Sequence, residues 1–192
     1  MPYPSQVNPN AILVTSRELL EAHGQDGLTM RALARGLGVS APSLYFHVES
    51  RQDLLHQLIK LGLEELGTAL RLAAAVPGSP QQRATGLADA YTGFARANPQ
   101  LFTLIFGPCA DDLVDASAGD AASVPVLEFA ASLVDPERAL FLAQALWSLV
   151  HGYAVLSLAR QFRQNPDPEA GFAYALDLLL TGATVAASPV PA

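Results

Sequence analysis

The chain has 192 residues, of which 51% are hydrophobic and 15% charged, with a formal net charge of −7. That is ample material for a buried core, with a surplus suited to an apolar interface, and the acidic balance argues against a general nucleic-acid coat protein. Cys109 is the single cysteine, so neither an intrachain disulfide nor a Cys-based zinc site is expected, and the expected compartment is the reducing cytoplasm.

Residues 1–9 hold three prolines and predict an extended or disordered arm; they lack the basic start and apolar run of a signal peptide. From about Asn10 the apolar positions Ile12, Leu13, Leu19 and Leu20 fall at helical spacing, with a stop expected at His23-Gly24. Thr29 is placed to cap a short helix, Met30 to Leu37, with Met30, Leu33, Ala34 and Leu37 on one face. Gly38 follows as a left-handed stop. Val39 fills the turn, Ser40 caps a helix expected from Ala41 to His47, and Pro42 sits in its first turn, where the missing N–H costs nothing. Ser50 then opens a long helix with Asp53 at its third position, as in a capping box.

That helix is expected to run to about Ala75, where Pro77-Gly78-Ser79-Pro80 breaks it. Further helices are predicted over about 81–97 and from Asn98-Pro99 to Gly107-Pro108. Residues 108–123, rich in Asp, Ala, Gly and Ser, predict a loop, and Val124 to Val134 a short helix. Asp135-Pro136-Glu137 is a strong helix start, with the stop placed near Gln164 before Asn165-Pro166, and a last helix covers 169–187, leaving 188–192 as a tail. No strand alternation or internal repeat is present, so the expected fold is all-α with about nine helices. The 21 residues from Ala139 to Ala159 carry no charge and are long enough to span a bilayer. Their polar members Gln144, Ser148, His151, Gly152 and Ser157 suit a buried interface helix better than lipid, so no membrane is expected.

Charge is unevenly spread. Residues 27–60 carry four cations against two carboxylates, whereas residues 61–192 carry six arginines against thirteen acids. A locally basic N-terminal module on an acidic body fits DNA contact at one end. The segment from Leu28 to Val48 has the physics of a helix-turn-helix: Ala34 is a small residue facing the second helix, Gly38 takes the tight turn, and Val39 and Leu44 are placed to bury between the helices. With those inside, Ser43, Tyr45, Phe46 and His47 are left for a major groove.

In the order Ala-Arg-Gly-Leu-Gly-Val-Ser, then Leu-Tyr-x-His-Val and a capped fourth helix, residues 10–56 resemble the TetR family of repressors. The resemblance implies a DNA-binding domain over 10–56 and a ligand-binding and dimerisation domain over 57–187. It implies that Ser40, Ala41, Pro42, Ser43, Tyr45, Phe46 and His47 face bases or backbone, and that Thr29, Arg31 and Arg51 hold phosphates. Ala41 stands where the family often has a polar residue. Trp147-Ser148-Leu149-Val150-His151-Gly152 resembles the Trp-His-Gly signature of one C-terminal subgroup. The last two long helices are then expected to pair with those of a second copy as a four-helix bundle.

Aromatic side chains of the C-terminal body suit a helical core and, in part, an apolar effector pocket with few polar groups. Tyr91, Phe94, Phe102, Phe106, Cys109, Phe129, Trp147 and His151 are the candidate ligand-binding residues. No cofactor and no metal site are expected, because the histidines at 23, 47, 56 and 151 lack zinc-ligand spacing. No phosphate loop, nucleophile elbow or paired carboxylates point to an enzyme. The expected function is a ligand-responsive DNA-binding regulator, a repressor released from a palindromic operator by a small apolar or amphipathic effector. A helical adaptor that binds protein instead of DNA is the competing reading, which salt-sensitive, sequence-specific binding would separate.

Overall fold

The computed structural model describes residues 8–107, 116–163 and 167–187. Among them are nine helices and no strand: α1 (Pro9–Gly27), α2 (Met30–Leu37), α3 (Ala41–Leu44), α4 (Arg51–Ala74), α5 (Pro80–Ala97), α6 (Pro99–Phe106), α7 (Ala116–Ala131), α8 (Pro136–Leu158) and α9 (Pro168–Ala187). They form two compact units, one from the described residues of 1–64 and 98–119, the other from those of 65–97 and 120–192.

In the first unit the caps set the boundaries. Asn8 Oδ1 accepts from the Ala11 N–H at 2.7 Å to open α1. Gly24, at φ 68°, breaks α1 where the sequence predicted a stop, but one further turn follows to Gly27. Thr29 Oγ1 accepts from the Ala32 N–H at 3.1 Å. Gly38, also at φ 68°, closes α2: its N–H bonds Arg35 O and the Val39 N–H bonds Ala34 O, the paired carbonyl capping of a left-handed helix end. Leu20, Leu28, Leu33, Leu44, Leu54 and Leu58 are all fully buried beneath these elements. Val39 is only half-buried.

Helix α6 belongs to this unit by side-chain capping across the sequence. Its Asn98 makes no side-chain cap and instead accepts from Arg17 Nη2 at 2.7 Å. The carboxylate of Glu21 on α1 takes the free N–H groups of Gln100 (3.1 Å) and Leu101 (2.9 Å), placing a negative charge on the positive end of α6. Gly62 makes room for it: a Cβ there would stand 2.7 Å from Ile105 Cδ1.

Two later helix boundaries depart from the sequence reading. Helix α7 already runs from Ala116, so residues 116–123 are helical rather than loop, and the helix continues through Pro125. Proline removes one backbone donor there, and the rest of the turn tolerates the loss. Helix α8 ends at Leu158, six residues before the expected stop. Arg160 takes φ 53°, its N–H bonds Ser157 O at 3.0 Å and the Gln161 N–H bonds Leu156 O at 2.9 Å. This is the same terminal motif as at Gly38, formed by a residue that carries no glycine signal. Ser79 and Gln82 cap α5 reciprocally (3.2 and 2.9 Å), and Asp135 and Asp167 cap α8 and α9.

Candidate DNA-reading surface and sensor cavity

The turn after α2 decides what is presented. Leu44 and Val48 are buried, at 0% and 2% exposure, and so pin both ends of the segment between them. The three intervening side chains are thrown outward: Tyr45 is 55% and Phe46 88% exposed, and His47 is exposed as well. The expected helix from Ala41 to His47 is shorter than predicted. Its α-helical part ends at Leu44, and residues 45–47 continue as a turn held by the His47 and Val48 N–H groups on Leu44 O. Ser40 sits at the N-cap position without capping, because its hydroxyl lies 2.7 Å from that of Ser43. Pro42 is exposed, and Ala41 and Ser43 are half-buried.

Of the residues expected to hold phosphates, Thr29 and Arg31 are exposed, with Thr29 also capping α2. Arg51 makes two bonds within the protein. Its Nε donates to Leu28 O at 2.7 Å and its Nη2 to Gln25 O at 2.5 Å. The guanidinium therefore clamps the start of α4 to the connection between α1 and α2, and acts first as a positioning group for the reading surface. Asp53 reinforces this end: Ser50 Oγ accepts from the Asp53 N–H, and the Asp53 carboxylate reaches back to the Glu49 N–H, each at 3.0 Å.

In the second unit, a small cavity of about 30 Å³ lies between α4, α5, α7, α8 and α9. Tyr91, Phe129 and Trp147 line it, with Leu87, Val126 and Val150 among the aliphatic wall. Tyr91 is the sole ionisable residue of that lining. Its ring meets Trp147 edge-on at 5.0 Å, and its hydroxyl lies 2.8 Å from His151 Nδ1. Burial raises the Tyr91 phenol above its ordinary range and lowers His151 from 6.5, so the pair is neutral near pH 7. The structure thus brings together Tyr91, Phe129, Trp147 and His151. Phe94 is buried outside the cavity lining. Phe102 and Phe106 pack on each other at 5.0 Å on α6, in the core of the first unit, and Cys109 lies outside the described residues. Sequence reasoning missed Leu70, Val126 and Val150, aliphatic residues that carry no chemical signal by themselves.

Helices α8 and α9 also expose a row of large apolar side chains: Phe141 (68%), Tyr174 (67%), Leu178 (54%) and Leu140 (54%). Phe141 and Leu178 border an open groove of about 700 Å³ with Leu142 and Gly182. Among the described residues, α8 is also long and apolar enough to cross a membrane, a property that core helices share.

Comparisons with known proteins bear on both units. The family described as bacterial regulatory proteins, tetR family, matches residues 12–58, and the tetracyclin repressor-like C-terminal domain matches residues 84–179. An uncharacterized HTH-type transcriptional regulator of Mycobacterium tuberculosis is 30% identical over 159 residues, covering 81% of this chain and 72% of that protein. The class A tetracycline repressor from transposon 1721 of Escherichia coli is 39% identical over 61 residues, 32% of this chain and 28% of that protein. A solved structure from Rhodococcus, of unknown function, superposes with a TM-score of 0.79 at 30% identity, over 95% of this chain and 98% of that one. With a helix-turn-helix in the first unit and a helical second unit, both matched, the chain belongs to the TetR family of transcriptional regulators.

Proposed function

We propose that this regulator is a cytoplasmic homodimeric repressor that binds a palindromic operator and leaves it when a small apolar or amphipathic effector enters the second unit. The observation that carries the DNA half is the exposed triad Tyr45, Phe46 and His47, bracketed by buried Leu44 and Val48. Pro42, Ser43, Tyr45, Phe46 and His47 face base edges, Ala41 and Ser40 flank them, and Thr29 and Arg31 meet phosphates. Arg51 holds the frame and has donors left for the backbone of the duplex. A module with so few cations binds weakly as one copy; two copies on one duplex recover affinity through effective concentration. The exposed Phe141, Tyr174 and Leu178 support pairing through α8 and α9.

The effector half rests on the lining of the cavity. Without a charged wall, it favours neutral apolar molecules, and the Tyr91–His151 pair offers one polar anchor. Trp147, His151 and Gly152 are the signature of the Trp-His-Gly subgroup, and Trp147 and His151 both meet Tyr91. A volume of about 30 Å³ suits a water or two, at roughly 10–15 Å³ each, against the roughly 300–1,000 Å³ of a drug-sized site. Effector therefore selects a widened arrangement, and by linkage it weakens operator binding by the factor by which operator weakens effector binding. Helix α4 contributes residues to both units and is the route of that coupling.

The test is a gel shift on the gene's own upstream region. Salt-sensitive retention of one inverted-repeat fragment, abolished in Tyr45→Ala with its thermal midpoint unchanged, is the expected result. Equal retention by both proteins overturns the reading.

A further inference from the structure

The reading surface lacks the groups that recognise most base edges. Bidentate recognition of guanine uses Arg or Lys, that of adenine Asn or Gln, and cytosine is read by Asp or Glu. Between Ala41 and Val48 the sequence offers none of these. Its polar groups are the Ser43 hydroxyl, engaged with that of Ser40 at 2.7 Å, the Tyr45 hydroxyl and His47. What the surface presents is apolar: Phe46, at 88%, is the most exposed of the large hydrophobic side chains among the described residues, with Tyr45 beside it and Pro42 exposed. The apolar feature of a major-groove edge is the 5-methyl group of thymine. A phenyl ring held in water by a turn anchored at buried Leu44 and Val48 gains by covering a methyl and gains nothing from the polar edge of a G·C pair.

We propose that Phe46 is a specificity-determining residue that reads thymine by its methyl group, so that each operator arm requires a T·A pair at a fixed position. This rests on the operator-binding reading above. The nearby cations Arg31 and Arg35 lie on α2 and are exposed, where the first helix of such a motif crosses the phosphate backbone; they add affinity without choosing a base. Tyr45, less exposed and carrying a hydroxyl, meets a base edge through that hydroxyl and does not make the thymine choice.

The full-length protein is used to select duplexes from a random-sequence pool. An inverted repeat with an invariant thymine in each arm is expected. Replacing that thymine by deoxyuridine removes the methyl and nothing else. Wild-type affinity should fall about fourfold for one arm and about fifteenfold for both, the value of one buried carbon per arm. Phe46→Ala should bind thymine and uracil duplexes equally, and Phe46→Leu, a smaller apolar side chain, should retain part of the difference. Tyr45→Phe should retain all of it. Equal binding of both duplexes by the wild type, or full discrimination by Phe46→Leu and Phe46→Ala alike, overturns the inference while leaving operator binding intact. A pool that yields no enriched sequence removes operator binding and this inference together.

Discussion

The two units use aromatic side chains in opposite ways. At 45–47 they stand in water on a pinned turn, ready to meet a surface; at Tyr91, Phe129 and Trp147 they close over a cavity too small for an ordinary ligand. As a proposed reading surface, the first already displays its side chains, so engaging DNA requires little ordering there. In the proposed mechanism the second has to open, which couples its occupant to a change of shape. The proposed regulation uses this division: a displayed reader, and a sensor whose closed and open forms differ in energy.

The contrast breaks first at Leu44. Leu44→Ala removes a fully buried side chain and should cost about 2–5 kcal/mol by urea unfolding, releasing the turn, whereas Phe46→Ala, two residues on, should stay within about 0.5 kcal/mol. Arg51→Ala loses two bonds to backbone carbonyls and should cost about 1.5–3 kcal/mol; a midpoint equal to the wild type would mean that the clamp does not position α4. Gly38→Ala places a Cβ at φ 68° and should cost about 1–2 kcal/mol, read in the same assay. Ser16 is fully buried and its hydroxyl has no hydrogen-bond partner among the described residues. Ser16→Ala should therefore stabilise, by up to about 1 kcal/mol.

The smallest effect sharpens the sensor side. Burial lowers the pKa of His151 below 6.5 in the folded state, so protonation favours unfolding. Its contribution is complete above 6.5 and declines as pH falls from there toward the lowered folded value. The wild type should thus lose more thermal stability between pH 7 and pH 5 than His151→Gln does. Identical losses would remove His151 from the account.

Where signals were local, the sequence was readable. Thr29, Gly38 and Ser50 act within four residues of themselves, and α2 has the predicted bounds. The end of α8 was not readable because Arg160 performs a turn that glycine usually announces. The start of α7 was hidden because Ala, Gly, Ser and Asp read as loop until a neighbouring surface makes helix the better choice; α7 passes so near α4 that a Cβ at Gly67 would stand 3.3 Å from Ala122 Cα. The cavity was half legible: Tyr91, Phe129 and Trp147 in its lining, and His151 bonded to Tyr91, carry chemistry visible in one dimension, whereas Phe102 and Phe106 look equally suitable and pack on α6 instead. Which aromatics converge depends on helix packing, and no residue states that by itself.

Glu21 carries a consequence for biosynthesis. Its carboxylate closes the first turn of α6 from 80 positions away in the chain, so the reader unit is not finished when its helix-turn-helix has been translated. Until Leu101 has emerged from the ribosome, Glu21 lacks its amide partners and the ground beside Gly62 lies open to water. Truncation after α4 should leave that same unfinished state permanently, making the isolated reader a poorer folder than its compact motif suggests.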